Sequence, residues 1–285
     1  MQASGVTQLP GRARIFSCLQ APLLPLSGRP PAWSFCRRPH QRQSQYSRVC
    51  QGTASASPPP PPGHGPTPPK QQMLIYVPPH PLIQHWLAIA RNEATPPPIF
   101  RAAIAELGRL LVYELGRDWL PTMQQQVYSP VGLADATFVD PTQPIKVVPI
   151  LRAGLVLVEQ IATVLPAQVT YHVGFVRNEE TLQATSYLNK LPKSFTAEDH
   201  ILVADPMLAT GGTMVSVLED IVSRGGDPSN IIVVCVVAAP PALKKLSEKF
   251  VGLKIYAACI DAELNDKGYI LPGLGDAGDR AYGTL

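Results

Sequence analysis

Residues 201–213 hold the chain's densest chemistry: an apolar run, Ile201-Leu202-Val203-Ala204, then the acid Asp205, then Pro206-Met207-Leu208-Ala209-Thr210-Gly211-Gly212-Thr213. Glycines let successive backbone N–H groups turn towards one anion, and threonine hydroxyls add further donors. A helix opening at Thr213 sets the positive end of its dipole behind them. Such a loop cradles a phosphate, and an acid where the strand ends can reach the hydroxyls or the metal of a phosphorylated sugar. On residue types alone the string also serves as an ordinary strand-to-helix turn. Two further stretches carry matching chemistry. Arg152 precedes Gly154, so a cation stands beside a residue that permits close backbone approach; it reads equally as a surface residue or as an anion ligand. Near the C-terminus, Gly273-Leu274-Gly275-Asp276-Ala277-Gly278 has three glycines in six residues. It is either a loose tail or a set of turns that leaves backbone donors and acceptors uncovered.

The elements that must position these residues follow from hydrophobic patterning. Residues 145–151 are continuously apolar apart from Lys146 and Pro149, which suits a parallel strand covered on both faces. A helical segment to Val164 follows Arg152. Residues 169–176 predict another strand, ending at Arg177-Asn178-Glu179-Glu180, which is either a solvated charged turn or the source of a second cation. Residues 182–191 alternate loosely and stop at Pro192, as an exposed hairpin or flap does. The helix that opens at Thr213 runs through Ile221 and ends at Gly225-Gly226. Residues 231–237 form a strand, Pro240-Pro241 open a helix through Phe250, and residues 253–260 form a strand. This alternation predicts an α/β fold with a mostly parallel sheet and helices on both faces. Such sheets bind ligands outside the carboxyl ends of their strands, where residues 152–154 and 205–213 fall. Upstream, residues 80–87 predict a short helix, and Pro96, Pro97 and Pro98 break the chain. From Ile99, the apolar residues Phe100, Ile104, Leu107, Leu111 and Leu115 mark one stripe of a longer helix that packs on the core or in a subunit contact.

Charge divides the chain in two. Its 285 residues sum to +3, but residues 1–72 contain eight of the 24 basic residues and none of the 21 acids. The remainder holds sixteen basic residues against 21 acids, a net −5. A nucleic-acid binder concentrates positive charge on its folded domain, so this distribution argues against one. The acid-free tail is rich in Arg, Ser and Pro and ends in a proline run from Pro58 to Pro62. It reads as a disordered organelle transit peptide with a stiff spacer, or as a basic tail with no address. Its interrupting prolines favour a plastid over a mitochondrion. No stretch approaches the roughly 20 apolar residues that cross a bilayer. Cys18, Cys36 and Cys50 lie in the tail, whereas Cys235 and Cys259 sit in apolar runs and read as small hydrophobes without chemistry. The six histidines form no metal-ligand spacing with them.

Taken as a whole, Asp205-Pro206-Met207-Leu208-Ala209-Thr210-Gly211-Gly212-Thr213 resembles the phosphoribosyl-pyrophosphate loop of type I phosphoribosyltransferases, in the form of the uracil branch. Most relatives outside that branch carry a second acid where this chain has Pro206. Residues 149–154 resemble the segment before the family's pyrophosphate loop, and Arg177-Asn178-Glu179-Glu180 resembles the start of its mobile loop. Residues 80–82 and the helix ending in Leu-Leu-x-Tyr-Glu resemble its amino-terminal arm, and residues 269–280 resemble its uracil-binding segment. The likeness spans residues 73–285, the presumed single domain, with a small hood or flap.

The resemblance implies transfer of a phosphoribosyl group from phosphoribosyl pyrophosphate (PRPP) to uracil, giving uridine monophosphate and pyrophosphate, with Mg²⁺ arriving mainly through PRPP. It implies that Arg152, Arg177 and the metal take charge on the leaving group, that residues 205–213 hold the ribose phosphate, and that Asp276 bridges the substrates. Asp205 then binds the ribose hydroxyls or stabilises the oxocarbenium-like carbon. Ile270, Gly275 and Ala277 then present backbone groups to the base. A carbonyl facing N3–H and an N–H facing O4 would discriminate against cytosine by up to about 10⁴-fold. A homodimer or larger even assembly is implied too, while regulation by a purine nucleotide such as GTP stays open. Two other readings keep the same fold: a nucleotide-sensing regulator that binds RNA, which the domain's −5 charge disfavours, and an inactive scaffold, which the intact loops disfavour.

Overall fold

The computed structural model describes residues 72–177 and 184–284. All but the last residue of the expected leader, and the loop tip with Asn178, Glu179 and Glu180, lie outside the described residues. Strand β1 (Leu74–Tyr76) is followed by helices α1 (Pro81–Arg91) and α2 (Pro97–Leu115), then by a hairpin of β2 (Thr122–Ser129) and β3 (Gly132–Val139). Next come β4 (Ile145–Leu151), α3 (Ala153–Leu157), β5 (Gln168–Thr170), β6 (Val173–Arg177) and β7 (Ala184–Asn189). The chain continues through β8 (Ile201–Ala204), β9 (Met207–Leu208), α4 (Gly212–Ser223), β10 (Ile231–Ala238), α5 (Pro240–Lys249) and β11 (Lys254–Ile260). It closes with β12 (Glu263–Leu264), β13 (Ile270–Leu271) and α6 (Ala277–Tyr282).

The main sheet runs β1-β11-β10-β8-β4-β6-β7, with β5 beside β4 and β9 beside β10, and within it only β6 and β7 pair antiparallel. Every residue of β8 and β10 is buried. The side-chain alternation of the strands sorts these residues into two cores. Ile145, Val147, Leu202, Ile232 and Val234 face α1, α2, α3 and α6, whereas Val148, Val203, Ile231, Val233 and Cys235 face α4 and α5. A strand with an apolar core on each side has no solvated face, which explains the continuous apolarity of these runs. Each fully buried Val, Leu or Ile contributes about 1.5 to 3 kcal/mol of transfer free energy.

Several elements depart from the sequence reading. The helix after Arg152 stops at Leu157 rather than Val164; a 3₁₀ turn at Ile161–Thr163 then buries Ile161 and brings the chain round to β5. The strand expected over residues 169–176 is broken at Tyr171 and His172, so β5 pairs with the first half of β4 and β6 with the second. Pro97 and Pro98 open α2 instead of breaking the chain before it, because first-turn residues need no N–H donor. The β2–β3 hairpin was not anticipated. Its residues are exposed or half-buried on both faces, which removes the one-sided apolar signal of an ordinary strand. Among the described residues no helix is long and apolar enough to cross a membrane.

Candidate active site

The site forms where β4 and β8, adjacent and parallel, end side by side with Pro149 opposite Ala204. Arg152 and Asp205 are the next residues out on each strand. Gly154 packs so tightly that a Cβ there would lie 2.3 Å from the Ala204 carbonyl oxygen, so only glycine lets this turn close on β8. After Ala204 the chain steps outward and rejoins the sheet as β9. Asp205 N–H donates to Val234 O at 3.1 Å, and Pro206 O accepts from Val236 and Val237 at 2.9 and 3.0 Å. Proline is suited to this bulge, because the step requires its carbonyl but no N–H.

Beyond the step, Asp205, Met207, Leu208, Ala209, Thr210, Gly211, Gly212, Thr213 and Met214 line a concave cavity of about 90 Å³. Gly211 takes a left-handed conformation (φ 74°) as the residue before α4, and no side chain caps that helix. Its first-turn N–H groups therefore lack a side-chain acceptor, as an anion-binding helix start requires. Lys245 of α5, which the sequence reading missed, donates from Nζ to Thr210 O at 3.0 Å and ties the loop's outer edge.

Burial pushes the Asp205 carboxyl up to about 7; the nearby Asp276 pushes it the same way and the Met207 N–H opposes both. Asp205 shares its cavity with Thr210, and a Cβ on Gly278 would lie 3.2 Å from Asp276 Oδ1 and 3.8 Å from Arg152 Nη2, which sets the C-terminal segment beside the end of β4. Both glycine-bearing segments thus border the carboxyl ends of β4 and β8. Asp276 is the residue before α6 and its Oδ1 accepts from Asp279 N at 2.9 Å. The sequence reading left residues 273–278 as a loose tail or a set of glycine turns, whereas Ala277 begins a helix. Asp276 caps it, and Asp279 adds an acid to its first turn.

Arg152 reaches across to this helix. Its Nη2 donates to Asp279 Oδ1 at 2.7 Å and its Nη1 to Thr284 Oγ1 at 3.3 Å, while Thr284 Oγ1 donates to Asp279 Oδ1 at 2.6 Å. These contacts, the threonine's first and the arginine's second, hold the Asp279 carboxyl below the usual carboxylate range. Asp279 and Thr284 were not among the residues singled out from sequence. Arg177 ends β6, and its side chain lies outside the described residues. Ile270 is buried in β13 with its carbonyl against Gly273, Gly275 is exposed with φ 74°, and Ala277 is buried. Among the described residues no three acids, histidines or cysteines gather as a metal cage.

A mostly parallel sheet, an acid-to-threonine loop at its strand ends and an arginine on the neighbouring strand define a type I phosphoribosyltransferase. The family model for uracil phosphoribosyltransferase matches residues 77–284. The chain is 59% identical over 213 residues to a uracil phosphoribosyltransferase of Nicotiana tabacum, covering 75% of this chain and 95% of that protein. It is 56% identical to one of Arabidopsis thaliana named chloroplastic, covering 75% and 72% respectively. A solved structure of an Aquifex aeolicus protein is 38% identical with a TM-score of 0.67, covering 73% of this chain and 98% of that one. The chain belongs to the uracil phosphoribosyltransferase family.

Proposed function

We propose that the protein transfers the phosphoribosyl group of PRPP to N1 of uracil, forming uridine monophosphate and pyrophosphate in pyrimidine salvage. The observation that supports this reading is that the loop at residues 205–213 and the segment with Asp276 both border the ends of β4 and β8, with Arg152 between them. In the transition state the anomeric carbon gains positive charge as pyrophosphate departs, so the site must hold the ends apart and accept charge on the leaving group. Backbone donors of residues 209–213 hold the ribose phosphate at the start of α4. Asp205 and Asp276 lie near the ribose, where a carboxylate stabilises its hydroxyls or the developing cation. Arg152 grips the pyrophosphate by exchanging Asp279 for a phosphate oxygen. Arg177, the last residue of the neighbouring β6, is the second cation. The base lies against Ile270, Gly275 and Ala277, whose backbone groups read N3–H and O4.

The two acids fit a metal carried in by the substrate rather than one caged by the protein, since Mg²⁺ keeps phosphate and water ligands and needs only one or two carboxylates. Mg²⁺·PRPP is accordingly the substrate form, in which the metal neutralises leaving-group charge. The exposed hairpin β2–β3, with Tyr128 and Val131 almost bare at 89% and 97% exposure, favours a homodimer or larger even assembly. The composition of residues 1–72, together with the Arabidopsis relative named chloroplastic, supports a plastid transit peptide ahead of a transferase domain at residues 73–285.

Incubation of the purified protein with labelled uracil, PRPP and Mg²⁺ tests the activity. Labelled uridine monophosphate appearing only with all three is the expected result, and its absence from a folded sample rejects the reading. A truncation that starts at Gln71 should retain full turnover.

A further inference from the structure

The segment proposed to read the base is fastened by side chains from distant parts of the chain and from the helix that follows it. Arg91, the last residue of α1, donates from Nη1 to Gly273 O at 2.9 Å. It also pairs with both oxygens of Asp261, Nη1 to Oδ2 at 2.9 Å and Nη2 to Oδ1 at 2.6 Å. Asp261 is only 7% exposed, and its Oδ2 also accepts from Gly273 N at 2.9 Å. Both backbone groups of Gly273 are therefore taken by this ion pair. Arg280, on α6, takes the next carbonyl: its Nη1 donates to Leu274 O at 2.8 Å and to Ala90 O at 2.5 Å, and its Nη2 to Asn92 O at 2.6 Å. The Arg280 guanidinium lies 4.2 Å from the centre of the Phe100 ring of α2. Gly273 itself cannot be exchanged, since φ is 58° and a Cβ would lie 2.1 Å from Ile270 O.

Cys259 belongs to the same cluster. Arg91 Nη2 donates to its Sγ at 2.9 Å, so it is more than the plain hydrophobe expected from sequence. Burial pushes its thiol up to about 11, against the pull of Arg91, and it stays protonated.

The hydrogen bonds sort the turn's backbone groups by direction. Three of them, Gly273 N–H, Gly273 C=O and Leu274 C=O, are held by Asp261, Arg91 and Arg280, and Asp261 and Arg280 are themselves bonded to the end of α1. Gly275, Asp276 and Ala277 follow directly in the chain. A site that tells uracil from cytosine by backbone polarity works only while each donor and acceptor keeps its place. A peptide that rotates would offer the wrong group and lose the discrimination. We propose that Arg91, Asp261 and Arg280 are positioning residues for pyrimidine choice: they lock the base turn to the end of α1 and so set which backbone groups meet the base. This makes the N-terminal arm part of the recognition apparatus. The proposal rests on the reading of residues 270–277 as the base segment.

The test uses the full chain with Arg280→Lys, Asp261→Asn and Arg91→Lys, together with Phe100→Leu, which replaces the buried ring beneath Arg280 with an apolar side chain. KM for uracil, KM for PRPP and the ratio of kcat/KM for uracil over cytosine are measured for each. In Arg280→Lys and Asp261→Asn, KM for uracil should rise tenfold or more and the uracil preference should fall at least tenfold, with KM for PRPP within twofold. Phe100→Leu should show the same split at two- to fivefold. Arg91→Lys keeps the charge but loses the fork, so it should behave like Asp261→Asn rather than like wild type. Breaking the buried pair from one side can unfold a domain, so Arg280→Lys and Phe100→Leu, which leave no acid unpaired, keep the test decisive. Folded variants in which both KM values move together, or neither moves, overturn the positioning role while leaving the transferase reading intact. A wild-type protein that makes no uridine monophosphate overturns the transferase reading itself.

Discussion

The segments proposed to hold the phosphate and the base, residues 205–213 and 270–277, both carry glycines, yet they are held in opposite ways. The loop at residues 205–213 is shaped almost wholly by its neighbours in sequence and by the sheet: β8 leads in, Pro206 O is fixed by β10, and α4 begins at its end. The turn at 270–277 sits between two short elements and is fastened by Arg91, 182 residues before Gly273, and by Asp261 and Arg280. Main-chain geometry can present many equivalent donors to a phosphate, which accepts from any direction. A pyrimidine edge needs one donor and one acceptor in fixed places, and long-range side chains supply that rigidity. Substitutions in the first region should therefore alter PRPP parameters, and those behind the second should alter uracil parameters.

The sharpest break of this symmetry should come from the loop's acid and its neighbouring cation. Asp205→Asn preserves shape and removes the charge, and Arg152→Ala removes the guanidinium proposed to meet the leaving group. Each should lower turnover by about 10²- to 10³-fold without loss of the folded state. Steady-state rates beside a thermal melt check this, and near-normal turnover in either variant removes that residue from the mechanism.

Asp205 also makes a prediction about pH. Its carboxyl titrates near 7 in the folded protein, against about 4 for an unfolded chain. Below about 4 it is protonated in both states. Between about 4 and 7 the folded state alone retains the proton, so this group's contribution to stability falls as pH rises through that window and is flat above it. The change is on the order of 1 to 2 kcal/mol once the residue's partial exposure is allowed for. Asp205→Asn should abolish this slope and melt higher than wild type at pH 8. In the wild type, kcat/KM for PRPP should rise with pH through about 7 as the carboxylate forms, whereas the variant should remain low and flat. A wild-type profile with no inflection between pH 6 and 8 would contradict the assignment.

How much of this was legible beforehand follows from the same contrast. The runs at 201–204 and 231–238 could be read directly, because burial on both faces leaves an unbroken apolar string. Residues 205–213 could be read because everything that shapes them is local. The β2–β3 hairpin could not, since strands such as Gln124-Gln125-Gln126 with neither face in a core carry no alternation. Helix α6 was hidden by Gly278, although Asp276 and Asp279, three apart, form a legible capping pattern. The supports of the base turn were the least legible. Arg91 reads as a basic residue ending an amphipathic helix, and nothing near it in sequence announces Asp261 or Gly273.

A smaller effect is expected where the two regions touch. Arg152 is paired with Asp279 across the crevice, and both side chains are partly exposed, at 54% and 32%. Solvent weakens pairs of that kind and salt screens them. If pyrophosphate takes Asp279's place, Asp279→Asn removes a competing anion, and KM for PRPP should fall by up to about fivefold at low salt and by less at high salt. A rise in KM would show instead that Asp279 serves to aim the guanidinium.

The least effect should follow from Lys245→Ala. The lysine is exposed and grips only the outer carbonyl of Thr210, while Gly211 and the start of α4 already set the loop's shape. KM for PRPP should rise about twofold, in line with one solvent-exposed hydrogen bond. Uracil parameters should not move, because no bond joins Lys245 to the base turn among the described residues. A change in uracil KM in this variant would mean that the two segments respond as one body, and the division between a locally built phosphate loop and a remotely fastened base turn would fail.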